Sequence, residues 1–290
     1  MASIAIKNLF HEKVRLAVTL TGIVFSIILT AVQLGIFLGF IEASTGIVGQ
    51  SKADLWVVSR GVTHVEQGVE FNESKLYKVL ADPDVASAKK HIVSLGAQAK
   101  KPDGSDEGVT LVGFDLDGGM GGPWNITQGS VAELEIPDAV MVDELYAENK
   151  LGVTKVGQVI EINKRRARVV GFTRGVRIFT SQPAVFTSFK NAQSFLGLNE
   201  DQSFFLVMRA RDGADIEALR SRLAGELTDV EVLTTSQLVY RQGMYWVFGT
   251  GAGITVIVAA VLAIIVGVVI VAQTIYAATV DHIREYGTLK

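Results

Sequence analysis

The sequence contains no cysteine, so it can hold no disulfide, no thiolate-bound metal and no cysteine nucleophile, and any folded part must rest on its apolar core. Histidine is nearly as scarce. His11, His64, His91 and His282 are far apart, and no two stand at the i, i+4 spacing that a zinc-binding helix uses. Phosphate-binding patterns are missing too: there is no G-x-x-x-x-G-K-S/T run. The glycine-rich stretch 118–124 (GGMGGPW) lacks the G-x-G-x-x-G spacing before a helix and reads as a flexible turn. Ser26, Ser94 and Ser181 lie outside any G-x-S-x-G elbow. Asn125-Ile126-Thr127 matches an N-glycosylation acceptor, a pattern short enough to arise by chance. No residue is therefore assigned a catalytic, cofactor-binding or metal-binding role. Nor is positive charge in excess. With 27 Lys and Arg against 30 Asp and Glu, the chain lacks the basic face that releases counterions from nucleic acid.

Charge is absent altogether from residues 16–41 and 242–280. Each run exceeds the roughly 18 to 20 residues that a helix needs to cross a ~30 Å hydrocarbon core, whereas buried core helices usually stop at about 10 to 14. The first run is also too long for the apolar region of a cleaved signal peptide and ends on Phe37, Leu38, Phe40 and Ile41 rather than small residues. Both are read as membrane spans. Lys7, Lys13 and Arg15 precede the first run, while its far side opens on Glu42 and meets no base until Lys52. By the positive-inside bias both termini are cytoplasmic and residues 42–241 lie outside, where membrane lipid borders the two spans.

The outer domain reads as α+β. A strand at 53–59, a helix at 73–80 and an extended stretch at 85–95 form one β-α-β unit; 203–209, 212–227 and 230–234 repeat the order, with Asp84-Val85 and Asp229-Val230 following the two helices. Between them, about 100–182, lies a β-rich insertion that includes a hairpin around Asn163 and Lys164. The fold class expected is a membrane protein: two transmembrane α-helices flanking an α+β extracytoplasmic domain of two β-α-β halves with a β-rich insertion.

Within the spans, Gly35 and Gly39, and Gly249 and Gly253, have the G-x-x-x-G spacing that lets helices pack closely. Gln33 and Gln273 are expected to hydrogen-bond between helices, and the lack of any intramembrane charge argues against ion-driven transport. The second run, read as one helix, would reach roughly 58 Å at 1.5 Å per residue, so part of 242–280 should form a stalk. Residues 2–15 are expected to form an amphipathic interfacial helix, with Ile4, Ile6, Leu9 and Phe10 towards lipid and Lys7, Lys13 and Arg15 towards water. Residues 281–290 (DHIREYGTLK) are a short charged cytoplasmic segment that suits a docking contact.

Taken in order, these elements resemble the MacB/FtsX-type ABC transporter permeases. The family's R-E-x-G motif is matched by Arg284, Glu285 and Gly287, with Lys290 at the last position, and 8–16 (NLFHEKVRL) is similar to the DevC-like branch. The family continues from this motif into two further spans, so the chain is expected to be the N-terminal portion of a four-span permease. The resemblance implies a non-catalytic permease homodimer working with a cytoplasmic ABC ATPase subunit. It also implies a periplasmic membrane-fusion adaptor, an outer-membrane channel beyond it, and efflux by mechanotransmission. The ATPase would contact Asp281, His282, Arg284, Glu285, Tyr286 and Gly287. Two alternatives have the same outline: a bitopic ligand sensor, and a membrane-tethered interaction protein or hydrolase, although no convergent catalytic set is visible. Two further apolar runs in the codons downstream are the expected finding; a soluble signalling module there would favour the sensor.

Overall fold

The computed structural model describes residues 13–281. They form two compact units, Glu42–Tyr245 and the described residues on either side of it. In chain order, α1 (Lys13–Gly49) is followed by β1 (Leu55–Ser59), β2 (Phe71–Asn72), α2 (Lys75–Ala81) and β3 (Val85–Lys100). Then come β4 (Asp106–Phe114), β5 (Ile126–Gln128), β6 (Ala139–Asp143), α3 (Glu144–Leu151), β7 (Val159–Ile162), β8 (Arg165–Thr173), β9 (Ala184–Ser188) and α4 (Phe189–Leu196). The chain closes with β10 (Gln202–Ser203), β11 (Phe205–Ala210), α5 (Ile216–Glu226), β12 (Val230–Thr234), α6 (Thr235–Phe248) and α7 (Gly251–Asp281).

In the Glu42–Tyr245 unit the two β-α-β halves interleave. Strands run in the order β12-β1-β11-β3, each antiparallel to its neighbour, so each half's crossover skips one strand of the other. β1 is therefore covered on both edges and both faces, which is why LWVVS is a continuous apolar run rather than an alternating one. Leu55 and Val57 join Leu206 and Met208 beneath Val79 of α2 and Leu219 and Leu223 of α5. Trp56 and Val58, on the opposite face, belong to a larger cluster shared with the insertion. The two halves also exchange ion pairs: Asp229 meets Lys75 at 2.7 Å, and Arg222 of α5 binds Asp82 and Asp84. The repeated Asp-Val pairs seen in the sequence thus mark reciprocal contacts, which add little stability at an exposed surface.

β3 does not stop near Leu95. A register shift between Ser94 and Ala97, with Gly96 inside it, bends the strand and lets it continue to Lys100. Beyond the bulge the sheet closes on itself through β3, β4, β9, β6, β8, β7 and back to β3, where Ala99 pairs with Ile162. Phe114, Leu134, Met141, Leu151 and Phe186 are fully buried in its core. Asp143, also buried, caps α3 through the Leu145 amide and accepts bonds from Thr173 Oγ1 at 3.0 Å and Val176 N at 2.8 Å.

Two expectations change. The stretch 118–124 is a packed loop: Met120 is fully buried, the Gly121 amide donates to Ser51 O at 2.8 Å, and no side chain would fit at Gly121 against His91 or at Gly122 against Phe114. Gly121 and Gly122 serve close approach, whereas Gly118 and Gly119 are exposed and take left-handed backbone conformations that suit the turn read from the sequence. And 242–280 is not one helix. It breaks at Gly249 and Thr250, where Thr250 Oγ1 donates to Trp246 O at 2.7 Å and accepts from Gly253 N at 3.1 Å, ending α6 and capping α7.

The β7–β8 hairpin turns at Asn163 (φ 49°) and Lys164 (φ 64°), both left-handed as a type I′ turn requires. Asn163 is held by Gln98 N at 2.9 Å and Phe195 O at 3.1 Å, whereas Lys164 is exposed. Lys164→Gly should relieve about 1 kcal/mol of backbone strain and raise Tm by roughly 2 to 4 °C in a thermal melt of the full chain in detergent.

Candidate functional site

The helices outside the domain have the surface of a membrane-embedded pair. Candidate spans Leu20–Gly49 and Gly251–Tyr276 each bury only 11% of their most apolar window within the chain, unlike the core helix of a soluble protein. They touch along a seam of small residues. A side chain at Gly22 would sit 3.6 Å from Ile270, and one at Gly267 would sit 2.8 Å from Ser26 Oγ and 3.1 Å from Thr30 Oγ1, while Ala260 and Ala263 are buried. Gly22, Ser26 and Thr30 recur at i, i+4 and i+8, the small-xxx-small spacing that permits close helix packing.

The G-x-x-x-G pairs lie elsewhere. Gly35 and Gly39 face open space, with nothing within 4 Å of an added Cβ. Gly249 is exposed in the bend after α6, and Gly253 is packed against the carbonyls of Trp246 and Val247, so its missing side chain makes room for the helix break. Gln33 is half-buried and Gln273 exposed, and among the described residues no hydrogen bond joins them. A pattern restricted to glycine overlooked the seam; admitting serine, threonine and alanine finds it. Of the expected ATPase contacts, Asp281 ends α7, while His282, Arg284, Glu285, Tyr286 and Gly287 lie outside the described residues, as does most of the expected interfacial helix.

A second cluster joins residues 42–49 of α1 to α6 through the loop after β1. Gln242 is fully buried. Its Nε2 donates to Ser44 O and to Glu66 Oε1 (3.2 Å), and its Oε1 accepts from Val65 N (3.2 Å). The buried Glu66 carboxylate also lies 3.2 Å from His64 Nδ1, and the His64 ring stacks on Tyr245 with centroids 4.3 Å apart. Next to Gln242, Arg241 donates to Val62 O at 3.2 Å and to Glu231 Oε2 at 2.7 Å. Partial burial works against the Glu231 charge, but the bonds from Arg241 and from the Gly61 amide hold its carboxyl below the usual range. Sequence reading placed Gln242 at the start of the apolar run because it carries no charge; its partners are distant in the chain.

A cleft of about 700 Å³ is lined by Glu73, Lys90, Lys190 and Asp201, with Lys90 paired to Glu73 at 2.9 Å. Among the described residues no group of three or more His, Asp or Glu side chains is placed to hold a metal ion.

Two apolar helices around an α+β extracytoplasmic domain define the class as a membrane protein. The MacB-like periplasmic core domain family matches residues 16–226, and the chain belongs to that family. It is 26% identical, over 289 residues, to the uncharacterized ABC transporter permeases Rv0072 and MT0078 of Mycobacterium tuberculosis, covering 99% of this chain and 75% of each relative. Among solved structures it is similar to the periplasmic region of MacB from Actinobacillus actinomycetemcomitans (TM-score 0.48, 12% identity, 64% of this chain and 90% of that one). It is also similar to the extracellular domain of the noncanonic ABC-type transporter YknZ from Gram-positive bacteria (TM-score 0.46, 13% identity, 62% of this chain and 98% of that one).

At the junction of the sheet and the insertion, His91 is fully buried, edge-on to Trp56 at 5.3 Å, with Nε2 3.1 Å from Gly121 O. Burial pushes its pKa down from 6.5 to about 4, against the smaller opposing effect of the Gly121 carbonyl. The folded state therefore binds the proton more weakly than the unfolded chain, so stability is complete above pH ~6.5 and falls as the pH drops towards ~4. Urea unfolding of the full chain should lose about 3 kcal/mol across that window, and His91→Gln should flatten this part of the profile.

Proposed function

We propose that this chain is the permease subunit of an ABC-type exporter in the bacterial inner membrane. Both termini are cytoplasmic, the Glu42–Tyr245 unit is periplasmic, and ATP is hydrolysed by a separate cytoplasmic subunit. The observation that carries this reading is the family match over residues 16–226, which runs from the first apolar helix through the first β-α-β half and the insertion to the end of α5 in the second half, with a second apolar helix following. The naming of the Mycobacterium tuberculosis relatives as ABC transporter permeases supports it. The chain itself does no chemistry; it converts work done by the ATPase into a change of shape outside the membrane.

In this mechanism the ATPase pushes on residues 281–290, chiefly Asp281, His282, Arg284, Glu285, Tyr286 and Gly287, and the displacement travels along α7 and α6. Gly35 and Gly39, open on α1, offer a smooth face to a second permease copy in a homodimer. A membrane-fusion adaptor docks on the periplasmic domain and leads to an outer-membrane channel. No intramembrane charge is present to bind a coupling ion, in keeping with a drive supplied from the cytoplasm.

Replacing both Arg284 and Glu285 with alanine in the complete protein should weaken ATPase association and transport-coupled hydrolysis about tenfold, the loss of one good interface anchor. Co-purification and ATPase stimulation measure it. Unchanged assembly and coupling would reject the docking role.

A further inference from the structure

We infer that residues 60–68 are a relay that carries displacement of α6 to the bulge in β3, and that Gln242 is the positioning residue that engages it. The inference rests on the mechanotransmission reading above and says where, inside the periplasmic domain, the motion goes.

α6 grips this loop at successive points. Arg241 binds Val62 O, Gln242 binds Val65 N and Glu66, and Tyr245 lies against His64. Val62 and Val65 are themselves buried in the core. The same Gln242 amide holds Ser44 O, so the outer end of α1 is fastened to the same point. Both N–H donors and the carbonyl of Gln242 are engaged, and none of these groups has access to water. Leaving a buried polar group unpaired is costly, so the three segments are held to moving together rather than sliding past one another.

The far end of the loop is attached just as specifically. Gln67 forms an isolated antiparallel bridge with Ser94, the residue at which the β3–β4 register shifts. Next to it, Gly68 lies so close to the Phe204 ring that no side chain would fit there. β3 leaves β11 at His91, where its pairing with β4 begins, and meets β7 at Ala99, so Ser94 lies on the stretch that joins the β12-β1-β11-β3 sheet to the closed ring. A shift of α6 is thus delivered to the one strand that both parts share, at the place where that strand is already bent. Few backbone hydrogen bonds need to break there, since Gly96 N bonds to Ser94 Oγ (3.3 Å) rather than to the partner strand.

The test is amide hydrogen exchange of the full chain in lipid nanodiscs, comparing wild type with Gln242→Met, which keeps the volume and removes the amide, and with Glu66→Gln, which keeps the shape and removes the charge. Exchange at 60–68 and at 92–97 should rise at least tenfold in Gln242→Met and less in Glu66→Gln, while β6 and β8 stay as in wild type. Three results would overturn the relay: no change at 60–68, a change at 60–68 that stops short of Ser94, or a uniform rise across the whole sheet in both variants. The exporter reading fails separately, through the Arg284 and Glu285 variant, whose exchange at 60–68 should match wild type whatever its ATPase coupling.

Discussion

The architecture depends on β3. A strand of 16 residues would extend roughly 50 Å if straight, far beyond the usual five or six residues, and it must pair with β11 at one end and β7 at the other. The bulge at Ser94 reconciles these demands: it shifts the register, turns the strand and keeps apolar side chains inward on both sides of the bend. The insertion is not a separate appendage tied on by linkers. It continues the same sheet, and its core is continuous with the face of β1 that carries Trp56.

Local signals in the sequence were legible. LWVVS and SFFLVMR read as strands because apolar β-formers are bounded by polar turns, and Asn163-Lys164 read as a hairpin because Asn tolerates the left-handed region. The two membrane-length helices were legible from the absence of charge. What escaped depends on residues that meet from afar. The extension of β3 beyond Gly96 needs β7; the packing of Met120 and Gly121 needs His91 and Ser51; and the place of Gln242 needs Ser44 and Glu66. No windowed pattern contains both partners of such contacts. The helix break at Gly249 and Thr250 was within reach, because a glycine followed at once by a threonine inside an apolar run joins a helix-stop residue to an N-cap residue, but hydropathy alone conceals it.

The two units meet different solvent demands. In the domain, buried polar groups such as Asp143 and Gln242 are each given several partners, as an interior without water requires. In the helix pair there is little hydrophobic drive for association in lipid, so the contact falls where side chains are smallest, at Gly22, Ser26 and Gly267. One sequence therefore carries two packing codes, and each is recognisable once its solvent is known.

Ring closure by β7 has a further consequence. The path of the main sheet ends only at β12, which is 5 residues long, and at β5, which is 3. Recruitment by strand addition has almost no vacant edge to use, and neighbouring copies have little on which to template a cross-chain ribbon. Specificity for any macromolecule that binds this domain must then be written in its helix faces and loops, the parts of such a scaffold that can vary most without disturbing the barrel beneath.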